Sequence, residues 1–61
     1  MAYLPRDPAM LLSLINMKLR DFYPSLTALC DDLDADPQEI TQILNAAGYR
    51  YDADQNAFVN E

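Results

Sequence analysis

Histidine and tryptophan are absent from this 61-residue sequence, glycine and cysteine occur once each, and only four side chains are cationic. Each scarcity closes off a kind of chemistry. Without histidine there is no serine–histidine or cysteine–histidine pair to activate a nucleophile, and metal ligation loses its commonest side chain. One glycine, Gly48, cannot supply a glycine-rich loop to hold phosphate. A single thiol, Cys30, leaves no internal disulfide to form. No apolar run approaches the roughly 18 residues that span a bilayer, and no basic stretch leads into an apolar segment with a small-residue cleavage site. The chain is therefore expected in the cytoplasm, where a lone thiol stays reduced, with no cofactor, no metal, no membrane contact and no enzymatic activity.

The shortage of cations bears on partners. Arg6, Lys18, Arg20 and Arg50 stand against ten acidic side chains, for a net charge of −6. Affinity for nucleic acid comes largely from Lys and Arg neutralising phosphates, and these four are too scattered to form a stripe. The apolar fraction of 51% with 23% charged residues fits a folded domain rather than a disordered tail. A chain this short buries only about 60% of the surface its unfolded form exposes. With disulfides and metals set aside, a partner subunit is the remaining source of added stability.

Residues 1–6 read as an extended arm, because Pro5 and Pro8 push the residues before them out of the helical region. Asp7-Pro8 then marks a helix start, an N-cap followed by a proline whose missing N–H costs nothing there. The first helix is predicted over 8–22. Leu11, Leu12, Ile15, Leu19 and Phe22 share an arc of about 100°, the width of a core-facing stripe. Met10, Leu14 and Met17 form a second apolar arc, and Ser13, Asn16 and Arg20 the opposite polar side. Pro24-Ser25 opens a second helix over 26–33, burying Leu26, Leu29, Cys30 and Leu33. Asp36-Pro37-Gln38-Glu39 carries an N-cap, an N1 proline and a carboxylate three residues after the cap, as in a capping box. The third helix is predicted over 37–47, with Ile40, Ile43, Leu44 and Ala47 inward and Gly48 as its left-handed terminator. Two short strands, Tyr49-Arg50-Tyr51 and Ala57-Phe58-Val59, flank the turn-rich segment 52–56 and form a hairpin over 49–59. The expectation is a mainly α domain spanning 1–61.

Ser25 to Leu44, with two short helices, a small buried Cys30 and inward Ile40 and Ile43, resembles a helix-turn-helix. With the hairpin, the whole resembles a reduced winged helix. Asp34 stands at the turn position commonly held by glycine, and Asp tolerates a left-handed backbone better than most residues. Leu4-Pro5-Arg6-Asp7-Pro8, Met10-Leu11-Leu12-Ser13, Asn16, Lys18-Leu19-Arg20-Asp21, Leu29-Cys30 and Gly48-Tyr49-Arg50-Tyr51 together are similar to a family of short bacterial proteins known only as a domain of unknown function, family 4250. That resemblance implies the domain boundaries and a bacterial cytoplasmic setting, and assigns no residue a role.

Asp32, Asp34 and Asp36 match the first ligand positions of a calcium-binding EF-hand loop, but Pro37 replaces its glycine and Ile43 its bidentate glutamate. Asp52, Asp54 and Asn56 repeat the spacing without completing it. Turn and cap duty explains both runs. Cys30 has no neighbouring histidine or cation to activate it and points inward. Two surfaces remain. Met10, Leu14 and Met17 offer an adaptable apolar contact for a second helix, unless the arm (Tyr3-Leu4-Pro5) or the hairpin aromatics Tyr49, Tyr51 and Phe58 cover it. Gln38, Thr41, Gln42 and Asn45 line the outer side of the third helix with types that read base edges, amid acidic neighbours. The leading expectation is a non-enzymatic protein-interaction module, self-associating as a homodimer or docking on a larger protein. A helix-turn-helix DNA-binding regulator is the alternative, and an acidic mimic of nucleic acid the third.

Overall fold

The computed structural model describes residues 4–61; the expected arm over 1–6 falls partly outside them, as does Tyr3. Three helices, α1 (Pro8–Asp21), α2 (Leu26–Leu33) and α3 (Pro37–Ala46), precede a hairpin of β1 (Tyr49–Asp52) and β2 (Ala57–Asn60). The strands pair antiparallel with Tyr49 opposite Asn60, Arg50 opposite Val59, Tyr51 opposite Phe58 and Asp52 opposite Ala57.

Local chemistry sets the ends of the elements. Ser25 accepts the Ala28 N–H at 3.1 Å and Asp36 accepts the Gln38 N–H at 2.9 Å, satisfying donors that the first turns of α2 and α3 leave free. Asp34 takes up the left-handed conformation at the end of α2 (φ 55°, ψ 44°), and the Ala35 N–H returns to the Cys30 carbonyl. Gly48 is left-handed as well, at φ 94°. Two caps differ from expectation. Asp7 occupies the N-cap position of α1 without a side-chain cap bond. Glu39 does not complete a capping box: its carboxylate receives the Arg6 guanidinium at 2.6 Å, tying the arm to α3.

Leu11, Ile15 and Leu19 of α1 meet Leu26, Leu29 and Cys30 of α2, Ile40 and Leu44 of α3 and Phe58 of β2 in one buried cluster. Leu4, Leu12, Leu33, Ile43, Tyr49 and Tyr51 pack around it, half-buried. Two expected core residues lie outside. Helix α1 ends at Asp21, one residue early, and Phe22 leaves the helical path (φ −127°, ψ −26°), so its ring is 67% exposed under the Lys18 ammonium, 5.8 Å from the ring centre. Helix α3 likewise ends at Ala46. Ala47 and Gly48 donate to Leu44 and Asn45 in a tightened last turn that turns the Ala47 methyl outward.

Candidate interaction surfaces

The hairpin is held on α1 by two asparagines, and this decides which face of α1 stays open. Asn16 lies on the side of α1 expected to face solvent. Instead it is half-buried, its Nδ2 donating to the Phe58 carbonyl (3.0 Å) and its Oδ1 accepting the Phe58 N–H (2.8 Å). It thereby completes the free edge of β2 as a neighbouring strand would. Asn56, left-handed at φ 53° in the hairpin turn, donates from Nδ2 to the Leu19 and Tyr23 carbonyls at 3.1 and 2.9 Å, closing the C-terminal end of α1. Its Oδ1 accepts from the Tyr51 hydroxyl at 2.7 Å, and that hydroxyl oxygen accepts the Leu26 N–H at 3.3 Å. Tyr51 and Phe58 rings pack tilted, 5.5 Å apart. Sequence spacing gave no sign of either clamp, because both partners lie 33 or more residues away.

With the hairpin on the Asn16 side and α2 and α3 on the Leu11–Ile15–Leu19 side, the third side of α1 stays open at Met10 among the described residues, while Met17 also borders a groove with Gln55, Asn56 and Ala57 of the hairpin. Met10 is 61% exposed there, beside half-buried Leu14 and Met17. Of the coverings considered from the sequence, Tyr3 lies outside the described residues, Leu4 packs on the core near α3, and Tyr49, Tyr51 and Phe58 are taken up by the hairpin's own seat. Met10, Leu14 and Met17, with Ala9 and Ser13, line one shallow depression. Met10, Leu14 and Lys18 also follow one another at intervals of four, which forms a ridge along the surface of α1. Phe22, assigned to the core by its phase, instead lies exposed just past the end of α1, beside Lys18.

Gln38, Thr41 and Gln42 come together on the outer side of α3 around a shallow hollow with Pro37, and Asn45 follow on exposed in the last turn. Their surroundings are acidic. Asp34, Asp36 and Glu39 are exposed beside them, and Arg6 is engaged by Glu39. The imbalance extends through the second half of the chain. Residues 31–61 hold eight carboxylates against Arg50 alone, a net −7, whereas residues 1–30 hold Arg6, Lys18 and Arg20 against Asp7 and Asp21, a net +1.

The aspartates of the two EF-hand-like runs are occupied separately. Asp32 accepts the Tyr23 hydroxyl at 2.5 Å, which pushes the phenol's pKa up, while Asp34 forms the turn and Asp36 caps α3. Asp52 accepts the Asp54 N–H at 2.9 Å and the Gln55 side-chain amide at 3.1 Å. The Gln55 bond is the main cause holding the Asp52 carboxyl below its ordinary range, opposed by burial and aided by the Asp54 and Gln55 N–H groups and Arg50. Among the described residues no three acidic or thiol groups converge as a metal site. Cys30 is 3% exposed. Burial raises its thiol pKa, and the Asp31 and Asp36 charges raise it further, the reverse of what a reactive thiol needs.

A family model described as Domain of unknown function (DUF4250) matches residues 5–58. The chain belongs to that family. The match runs from the arm through Phe58, so it takes in both asparagine clamps and the open face of α1 of this DUF4250 chain. No curated protein and no solved structure matches it. No described helix is long and apolar enough to cross a membrane.

Proposed function

We propose that this DUF4250 chain is a non-enzymatic protein-interaction module that binds through the outer face of α1. The observation that carries the reading is the uncovered Met10/Leu14/Met17 surface, continued by Phe22. Exposed apolar side chains scattered singly need no explanation, but exposed Met10 beside half-buried Leu14 and Met17 on one side of the longest helix, with exposed Phe22 just past its end, forms a patch of the kind that marks contact sites. Methionine suits the role, since its flexible, polarisable chain adapts to a partner's shape. Nucleic acid is not the partner on this reading. Gln38, Thr41, Gln42 and Asn45 would have to approach phosphates past Asp34, Asp36 and Glu39, with Arg6 engaged by Glu39 and Arg50 of the adjoining β1 a single cation against them, and phosphate contacts are what hold such a helix in a groove.

Oxidative labelling of the methionines tests the proposal. Met10 and Met17 are expected to oxidise more slowly in native cytosol, or in concentrated purified protein, than in dilute purified protein. Equal rates in all three would overturn it.

A further inference from the structure

We infer that the occupant of this face is a second copy of the chain, its α1 packed antiparallel against the first about a two-fold axis near Leu14. The inference rests on the interaction-module reading and adds the partner's identity. Three observations on different levels point to it.

The first is the ridge. Met10, 61% exposed near the start of α1, forms one row with Leu14 and Lys18, and Phe22, 67% exposed, lies just past the end of the helix with the Lys18 ammonium 5.8 Å from its ring centre. A two-fold axis near Leu14, the middle of the Met10–Leu14–Lys18 row, lays each copy's Met10 toward the other's Met17 and Lys18, so the same row serves as ridge and as groove wall. Isologous pairing needs that self-complementarity.

The second is charge along the face. Asp7 stands at the start of α1 without a cap bond, and Lys18 stands near its end with no carboxylate among its described ion pairs. In an antiparallel pair centred on Leu14, Lys18 lies about 6 Å along the axis from the centre and the other copy's Asp7 about 10 Å on the same side. The difference is less than one helical turn, within reach of a lysine. Two Lys18–Asp7 pairs form, one at each end, and the helix dipoles oppose. A parallel pair would instead set Lys18 against Lys18.

The third is the rest of the surface. Residues 31–61 carry net −7 while residues 1–30 carry net +1, so a contact through α1 meets less like-charge repulsion than one through α3 or the hairpin. Arg20 is neutralised by its neighbour Asp21 through two contacts of 3.0 Å and does not spoil the balance. The contact is one 14-residue helix per copy, at or below the lower end of specific interfaces, about 1,200 Å² in total. The dimer is therefore a weak, concentration-dependent one.

Sedimentation equilibrium of the full chain at low ionic strength, between about 10 μM and 1 mM, is the test, with melting followed in parallel. The wild type is expected to pass from monomer to dimer across that range. Lys18→Glu, which sets carboxylate against Asp7, is expected to weaken association about tenfold. Asp7→Lys acts likewise. An equimolar mixture of the two variants restores association, since each pair then joins opposite charges. A wild type monomeric at the highest concentration, or a dimer indifferent to Lys18→Glu, overturns the inference. Should Asp7→Lys not fold, the wild-type and Lys18→Glu results decide it. Methionine protection in cytosol with a purified chain that stays monomeric would sink the second copy and leave the interaction module standing, whereas protection nowhere would sink both.

Discussion

Asn16 shows how much one side chain settles in a molecule of this size. Its amide supplies a donor and an acceptor at the spacing of a peptide group, so a helix residue completes the outer edge of β2 at Phe58. Asn16→Ala removes both partners from a part-buried N–H and C=O. A loss of about 1–3 kcal/mol is expected in urea unfolding, against a few tenths for Ser13→Ala on the exposed side of the same helix. Equal effects would mean that the hairpin seats itself without the clamp. Gly48 gives a different kind of test. A methyl group there would meet no atom within 4 Å, yet the backbone stands at φ 94°. Gly48→Ala is therefore expected to cost about 1–2 kcal/mol through backbone strain alone, visible as a lower unfolding midpoint with an unchanged fold. Neither asparagine clamp was legible in the sequence. Asn16 occupies a polar phase of α1, which periodicity assigns to water, and Asn56 occupies a turn, where asparagine already has a local reason to be.

The elements themselves were nearly all legible, because their ends depend on chemistry within three or four residues. Ser25 and Asp36 cap as expected, and the turn between α2 and α3 forms on Asp34 in the left-handed region. Besides the absent Asp7 cap bond and the incomplete capping box at Glu39, the errors fall where a helix stops. Phase alone puts Phe22 and Ala47 on buried faces, but each is the first residue past its helix, so the phase no longer applies. Between elements, the Tyr23–Asp32 contact joins the α1–α2 connection to α2 and makes a pH prediction. The phenol's pKa is raised, so the folded state holds that proton more tightly than the unfolded one. The contact's contribution is complete below the ordinary tyrosine value of about 10 and is lost as pH rises through the raised value. Ultraviolet titration should show one of the four tyrosines ionising late, and Asp32→Asn should abolish the delay. Asp52 works in the opposite direction in the hairpin turn. Its pKa is lowered, so its contribution is complete above about 3.9 and is lost as pH falls through the lowered value. Asp52→Asn is expected to flatten that part of the acid unfolding curve.

At the scale of the whole molecule, charge is the dominant property. A net −6 concentrated in residues 31–61 opposes the compact state through self-repulsion, which salt screens. Added sodium chloride is expected to raise the melting midpoint, with ~1 kcal/mol of relieved repulsion corresponding to about 4–8 °C in a chain of this length. The same field bears on nucleic acid. A gel shift with random duplex DNA at low ionic strength, where phosphate contacts are strongest, is expected to show no retention, and retention would redirect attention to Gln38, Thr41, Gln42 and Asn45.

Composition, caps and apolar spacing by themselves determined three helices followed by a hairpin, the acidic balance and most of the core, because these follow from short-range chemistry and from counting. Spacing also named Met10, Leu14 and Met17 as a second apolar arc. It could not say whether that arc was covered, since covering is a property of how elements separated by tens of residues come together. Among the described residues the tertiary structure leaves it open at Met10. Asn16 and Asn56 draw the hairpin to one side of α1, the core takes another, and Phe22 leaves the helical path to stand exposed past its end.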